Sequence, residues 1–121
     1  MHTACTLLEG GLAFVDIETN GGPAQQASIT ELAVVEGDEA GVRSWSTLVR
    51  PATRIPDHIR RLTGISNEMV ATAPRFEEVA DALFDRLEGR VFVAHNARFD
   101  HGHIKAAFAR MGVSIAPRVL C

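Results

Sequence analysis

Asp16 and Glu18 stand two residues apart at the end of an apolar run, Leu12-Ala13-Phe14-Val15-Asp16-Ile17-Glu18, that lies between Gly10-Gly11 and Asn20-Gly21-Gly22. The β-branched and aromatic content of the run predicts a strand, and its apolarity predicts burial on both faces. In a strand, residues i and i+2 leave the same side about 7 Å apart, so both carboxylates project together at its C-terminal end. Like charges there repel and lose hydration, and no Lys or Arg follows until Arg43. A divalent cation resolves the conflict. Mg²⁺ takes oxygen ligands, often one or two carboxylates plus substrate phosphates, which points to phosphoryl-transfer chemistry. An isolated D-x-E is as readily a solvated strand end, so a second feature has to decide.

That feature is His95-Asn96-Ala97-Arg98-Phe99-Asp100, which leads from a short apolar strand at Val91–Ala94 into a helix predicted over Arg98–Met111 and ended by Gly112. Ile104, Ala107, Phe108 and Met111 set the inward stripe of this helix, and one turn back from Ile104 falls Asp100. An acid thus occupies the core side of the first turn, where the helix N-terminus tolerates negative charge and Asn96 is expected as the cap. If the strand before it lies parallel beside the first, Asp100 faces the same sheet edge as Asp16 and Glu18, the edge at which open α/β sheets place their sites.

The other elements must hold these residues in place. Ala27–Glu36 and Val42–Val49 read as two further strands, joined by links short enough for antiparallel hairpins, with Trp45, Thr47 and Val49 alternating against Ser44, Ser46 and Leu48. Glu31, inside the second strand, is expected to face solvent, an approach to the first strand's acids being the less favoured alternative. Ile55–Leu62 reads as a short helix stopped by Gly64, and Asn67–Val70 as a further turn. The clearest helix starts at Pro74, with Phe76, Val79, Ala80, Leu83, Phe84 and Leu87 in one stripe opposed by Glu77, Glu78, Asp81, Asp85 and Arg86. A last strand is predicted to begin at Arg118–Cys121. The order predicts an α/β fold with a mixed sheet of three antiparallel strands followed by parallel ones, flanked by helices.

Length and composition set limits. With 121 residues, 46% of them apolar and 22% charged, the chain is expected to be one domain that needs no disulfide staple. No apolar run approaches membrane-spanning length and Met1–Gly11 lacks the features of a secretion signal, so a cytoplasmic location is expected. Cys5 and Cys121 have no metal-site spacing. A net charge of −3 argues against a protein that holds nucleic acid by a basic surface alone, though not against one that grips phosphates through bound metal. An ATP-binding role is disfavoured because no Gly-rich phosphate loop follows a strand.

Three blocks in this order, Val15-Asp16-Ile17-Glu18-Thr19, Arg61-Leu62-Thr63-Gly64-Ile65 and His95-Asn96-Ala97-Arg98-Phe99-Asp100, resemble the DEDD-type 3′–5′ exonucleases of ribonuclease H-like fold, above all the proofreading epsilon subunit of bacterial DNA polymerase III. The resemblance spans essentially the whole chain. It implies that Asp16, Glu18 and Asp100 are metal-binding acids for two Mg²⁺ or Mn²⁺ ions about 4 Å apart. It also implies that Thr63, Gly64 and Ile65 lie against the terminal nucleotide of a single-stranded DNA 3′ end, with Thr19, Phe99 and Asn96 in the same pocket, and that a DNA polymerase subunit is a partner.

The chain departs from the family's pattern in one respect. The family's third block, a further strand and helix with a His as general base and a fourth Asp ligand, is missing from the 121 residues. His95 is expected to be structural, and His101 and His103 to be exposed residues outside the inward stripe. The chain is therefore expected to be an exonuclease domain without its C-terminal strand-helix segment, and inactive alone. The alternative is a non-catalytic module of the same fold that binds nucleic acid or a polymerase partner.

Overall fold

A computed structural model of the chain describes residues 10–115 and the backbone of Val119–Leu120. Its strands are β1 Leu12–Thr19, β2 Ile29–Asp38, β3 Gly41–Leu48, β4 Val91–Val93 and β5 Val119–Leu120. Its helices are α1 Asp57–Thr63, α2 Asn67–Ala71, α3 Phe76–Leu87 and α4 Ala97–Arg110. Every predicted element is present, with ends shifted by a residue or two. Arg118 and Cys121 of the last predicted strand lie outside the described residues.

The strands form one sheet in the order β3-β2-β1-β4-β5. β1–β2 and β2–β3 are antiparallel, while β1–β4 and β4–β5 are parallel, as a hairpin-linked half and a helix-linked half require. The register sets Ala13 beside both Glu36 and Phe92, and Val15 and Ile17 beside Val34 and Leu32. These side chains pack against Ala80, Leu83 and Leu87 of α3 and Ala97, Ile104, Ala107 and Phe108 of α4 in a single core. Leu32, Leu83, Ile104 and Phe92 are completely enclosed or nearly so, and each such side chain contributes about 1.5–3 kcal/mol. The rings of Phe76 and Phe84 meet Phe108 edge-on across the two helices.

The opposite sheet face corrects the expectation of a strand buried on both sides. Phe14 is 49% exposed and Val35, its neighbour across the ladder, 42%, because both described long helices lie on the other face. An apolar run in a strand does not reveal whether one face or two are covered.

A charged network closes the end of the sheet away from Asp16. The buried Glu36 lies 3.1 Å from Arg43, 3.4 Å from Arg86 and 3.3 Å from Arg90. Asp38 lies 2.8 Å from Arg43 and 2.6 Å from Arg90, and these guanidinium contacts, that of Arg43 first, hold its carboxyl well below the usual range. Arg90 also donates to the carbonyls of Asp85 and Arg86 at the end of α3, and Arg86 stacks 4.6 Å from the ring centre of Trp45. The β2–β3 hairpin is thereby tied to α3.

A second, smaller core of Ile55, Ile65 and Val70, with Leu48, Ile59 and Ala73 beside it, docks α1 and α2 beyond the end of β3. Asn67 staples it. Its amide oxygen accepts from the Ile55 N–H at 2.8 Å and its amide nitrogen donates to the Ile55 carbonyl at 3.2 Å.

Candidate active site

The register of β1 brings the acids together. Asp16 and Glu18 project from the open face at its C-terminal end, and Glu18 is paired directly with Glu31 of β2. Glu31 therefore joins the first strand's acids instead of facing solvent alone, because an antiparallel partner repeats the side-chain alternation of its neighbour. Asp100, 5% exposed, sits in the first turn of α4 and takes support from the main-chain N–H of Ile17, which fixes its carboxyl against β1 between Asp16 and Glu18. Its own N–H is bonded to the Asn96 carbonyl at 3.0 Å.

These acids perturb one another. Glu18 is pushed up by burial first, then by the charges of Asp16, Glu31 and Asp100. Asp100 is also raised, by burial and then by Asp16, with the N–H groups of Ile17 and Asp100 and the nearby His103 only partly offsetting this. Among the described residues no Lys or Arg relieves either group. Among the described residues no three Asp, Glu, His or Cys side chains are already arranged to hold a metal ion. The set still suits a hard dication in its chemistry: every donor is a carboxylate oxygen, and mutual repulsion is what keeps such side chains apart until a cation draws them in.

The protonation has a consequence for stability. Folded Glu18 and Asp100 hold protons more tightly than their ordinary values of 4.5 and 3.8, so above those values the folded state carries more protons than the unfolded one. These two carboxyls should therefore withdraw stability from the metal-free chain as pH rises from about 4 toward neutrality, while His101, whose pKa is lowered, works in the opposite direction below 6.5. Asp38, whose carboxyl is held low, acts in a more acidic range. Asp100→Asn should flatten this decline and leave the metal-free melting temperature at neutral pH equal or higher. A variant that melts well below the parent there would show the carboxylate to be a structural cap.

The other predicted residues divide into those that shape the site and those that line it. Thr19 is buried, and its hydroxyl accepts from the Gly21 N–H at 3.1 Å, turning the chain away at the end of β1. The Thr63 hydroxyl donates to the Ile59 carbonyl at 3.0 Å and accepts from the Ile65 N–H at 3.1 Å. Between them Gly64 adopts φ 78°, which a side chain would strain, and its N–H caps α1 on the Arg60 carbonyl. Ile65 is buried in the small core. Phe99 is half-exposed, with its ring 4.2 Å from that of His103. Asn96 occupies the N-cap position of α4 but makes no side-chain capping bond, because its ψ of 77° departs from the extended geometry of a capping residue.

The histidines differ from expectation. His103 is buried: its Nδ1 donates to the Phe99 carbonyl at 2.8 Å and its Nε2 faces the Gly22 carbonyl at 3.5 Å. The inward stripe of α4 is wider than the apolar residues suggested, since the turn at Gly22 folds over it. His101 packs edge-on against Phe92, 5.7 Å away, with its Nε2 buried and unbonded among the described residues; burial, then Lys105, lowers its pKa. His95 lines a concavity of about 640 Å³ on the open face together with Phe14, Asp16, Ala33, Val35 and Val93.

Asn20 was missed as a site-shaping residue. It is buried, its amide donates to the Thr53 hydroxyl at 2.9 Å, and its oxygen accepts from the Ser28 N–H at 2.8 Å, locking the loop beside the acids. The signal was its place directly after D-x-E-T.

A mixed sheet of this order with acids at the C-terminal end of its central strand is a ribonuclease H-like arrangement. The exonuclease family model of the RNase T type matches residues 13–120, and the chain belongs to that family. It is 38% identical over 104 residues to the 3′-5′ exonuclease DinG of Bacillus subtilis, covering 84% of this chain and 11% of that one. It is 37% identical over 114 residues to the PolC-type DNA polymerase III of Caldanaerobacter subterraneus, covering 93% and 8%. Among solved structures it resembles exonuclease X in complex with 5′ overhanging duplex DNA, with a TM-score of 0.69 at 28% identity over 91% of this chain and 58% of that one. The fold alone is shared with Escherichia coli exonuclease I in complex with a dA16 oligonucleotide, with a TM-score of 0.73 at 18% identity over 83% and 24%. The chain spans only about a tenth of the length of these two sequence relatives. The family generally uses divalent metal ions.

Proposed function

We propose that this domain hydrolyses phosphodiester bonds at the 3′ end of DNA in the 3′–5′ direction. The observation that carries the reading is the convergence of Asp16, Glu18 and Asp100 on one end of β1 with no cationic side chain among the described residues to offset them. Asp16, Glu18 and Asp100 would hold two Mg²⁺ or Mn²⁺ ions, which when bound supply Lewis-acid activation of water and stabilise the leaving 3′ oxygen. The chain's own residues place the strand end. Thr63, Gly64 and Ile65, rigidified by the small core, present a fixed edge to the terminal nucleotide. Thr19 fixes the direction in which Glu18 projects, while Phe99 and Asn96 offer an aromatic face and an amide beside Asp100. A single-stranded DNA 3′ end is the substrate this arrangement suits, and the similarity to a PolC-type chain supports a polymerase as partner.

The reading includes a division of labour. Within residues 1–121 the reading assigns three acids to metal and no residue to the roles of fourth ligand and general base. The same observation favours a second reading, a module of this fold that binds nucleic-acid ends without turnover. Both readings require metal at the acids. Titration calorimetry of Mn²⁺ into the chain should show weak binding that disappears in Asp16→Asn/Glu18→Gln. Equal heats in both proteins would remove the metal site and the proposal with it.

A further inference from the structure

Arginine is used in two different ways in this fold. At the closed end of the sheet, Arg43, Arg86 and Arg90 are each matched to Glu36 or Asp38. At the other end, the end that carries the acids, a groove of about 150 Å³ is lined by Arg50, Arg75 and Arg110 together with Gln26 and Glu77. Arg50 and Arg75 are exposed and form no ion pair with any described residue, although they are partners in a parallel β-bridge. Like charges held on paired backbone positions cost stability unless an anion joins them. Arg110 adds a third charge and spends its donors only on the neutral carbonyls of Ala24 and Ala27, at 2.8 and 3.0 Å. Three arginines against Glu77 and Glu78, the latter accepting the Arg75 main-chain N–H at 2.7 Å, leave a small local positive excess in a chain of net charge −3. Arg50 and Arg75 also line a second concavity of about 460 Å³, together with Glu78.

The groove lies at the acids' end of the sheet but on its helix-covered face, as its lining by Phe76 of α3 and Ala107 and Arg110 of α4 shows. Glu18 is level with Glu31, and Glu31 with Leu48, so Arg50 lies two strands across and two residues along from Glu18. Strand geometry makes this a backbone separation of roughly 12 Å. A strand whose 3′ end sits at Asp16 and Glu18 on the open face would reach Arg50 and Arg75 by passing around this end of the sheet.

Building on the exonuclease reading, we propose that Arg50 and Arg75, backed by Arg110, form a phosphodiester-binding site that grips the DNA strand a few nucleotides behind its 3′ end. The site supplies by local charge the backbone affinity that the acidic chain lacks globally.

The test is fluorescence anisotropy in Ca²⁺ with 5′-labelled oligothymidylates of about 12 and about 3 nucleotides, lengths that do and do not extend beyond the site of the acids. Against the parent, Arg50→Gln/Arg75→Gln should bind the longer oligonucleotide roughly 25-fold more weakly at about 0.1 M salt, with a log–log salt slope smaller by about 1.4, as two single-strand phosphate contacts imply. Binding of the shorter one should not change, and the melting temperature should be retained or raised. Asp16→Asn/Glu18→Gln, in contrast, should weaken the shorter one. Equal affinity and equal salt slope in parent and arginine variant would overturn the site while leaving the exonuclease reading intact. Equal weakening of both lengths would overturn it as well. A parent that binds neither oligonucleotide would fail the exonuclease reading itself, and this inference with it.

Discussion

The 121-residue chain alone should release mononucleotides from a 5′-labelled single-stranded oligonucleotide at no more than a trace rate in Mg²⁺. Joining to it a strand–helix segment that carries a His and an Asp in the family's third-block arrangement should raise that rate by about 10²–10⁴-fold, the usual contribution of a positioned general acid or base. The reason lies in where the chain's own histidines stand. His103 is buried with Nδ1 committed to the Phe99 carbonyl, so its ring cannot turn toward a water at Asp16 without losing that bond. His101 faces the core side of α4 against Phe92, and burial disfavours its charged form. Among the described residues, His95 lines a concavity together with Asp16. If the chain alone degrades the oligonucleotide as fast as the extended protein, and Asp16→Ala stops it, the base belongs to His95 and the division of labour proposed above is wrong.

Much of this arrangement is legible in the sequence because it depends on local periodicity. Counting back one turn from Ile104 places Asp100 on the core side of α4, and the structure buries it there. The alternation of β1 puts Asp16 and Glu18 on one side, and short links make β1–β2–β3 antiparallel. Coverage and long-range closure are not written in periodicity. Leu12, Phe14 and Val15 read alike whether one face or two are packed, so the exposure of Phe14 had no signal. His103 is buried by the turn at Gly22, some eighty positions away in the chain, as its contact with that carbonyl shows. Glu31 meets Glu18 only through the register of a hairpin whose turn lies beyond both. The arginine groove is the extreme case: Gln26, Arg50, Arg75 and Arg110 come from four separate stretches, each of which reads as an ordinary solvated surface.

Asp16→Asn should have the largest effect of any single substitution. In the extended, active protein it should lower hydrolysis by about 10³-fold or more, equivalent to about 4 kcal/mol of transition-state stabilisation. Asp16 is the one acid whose charge raises both Glu18 and Asp100, which places it at the centre of the group, and it is exposed at the rim of the open-face concavity where a substrate can reach it. The amide keeps the shape and removes the charge, so a cation held among the acids loses its central ligand while the strand register is untouched. Relief of repulsion should bring Glu18 and Asp100 back toward ordinary carboxylate behaviour. The metal-free melting temperature should then stay level or rise even as activity disappears, and its increase on adding Mn²⁺ should vanish. Lost activity accompanied by a clear fall in metal-free stability would mean that Asp16 holds the fold and not the metal. Activity within about tenfold of the parent would place the centre of the chemistry on other residues, with Glu18 and Asp100 the next to be tested.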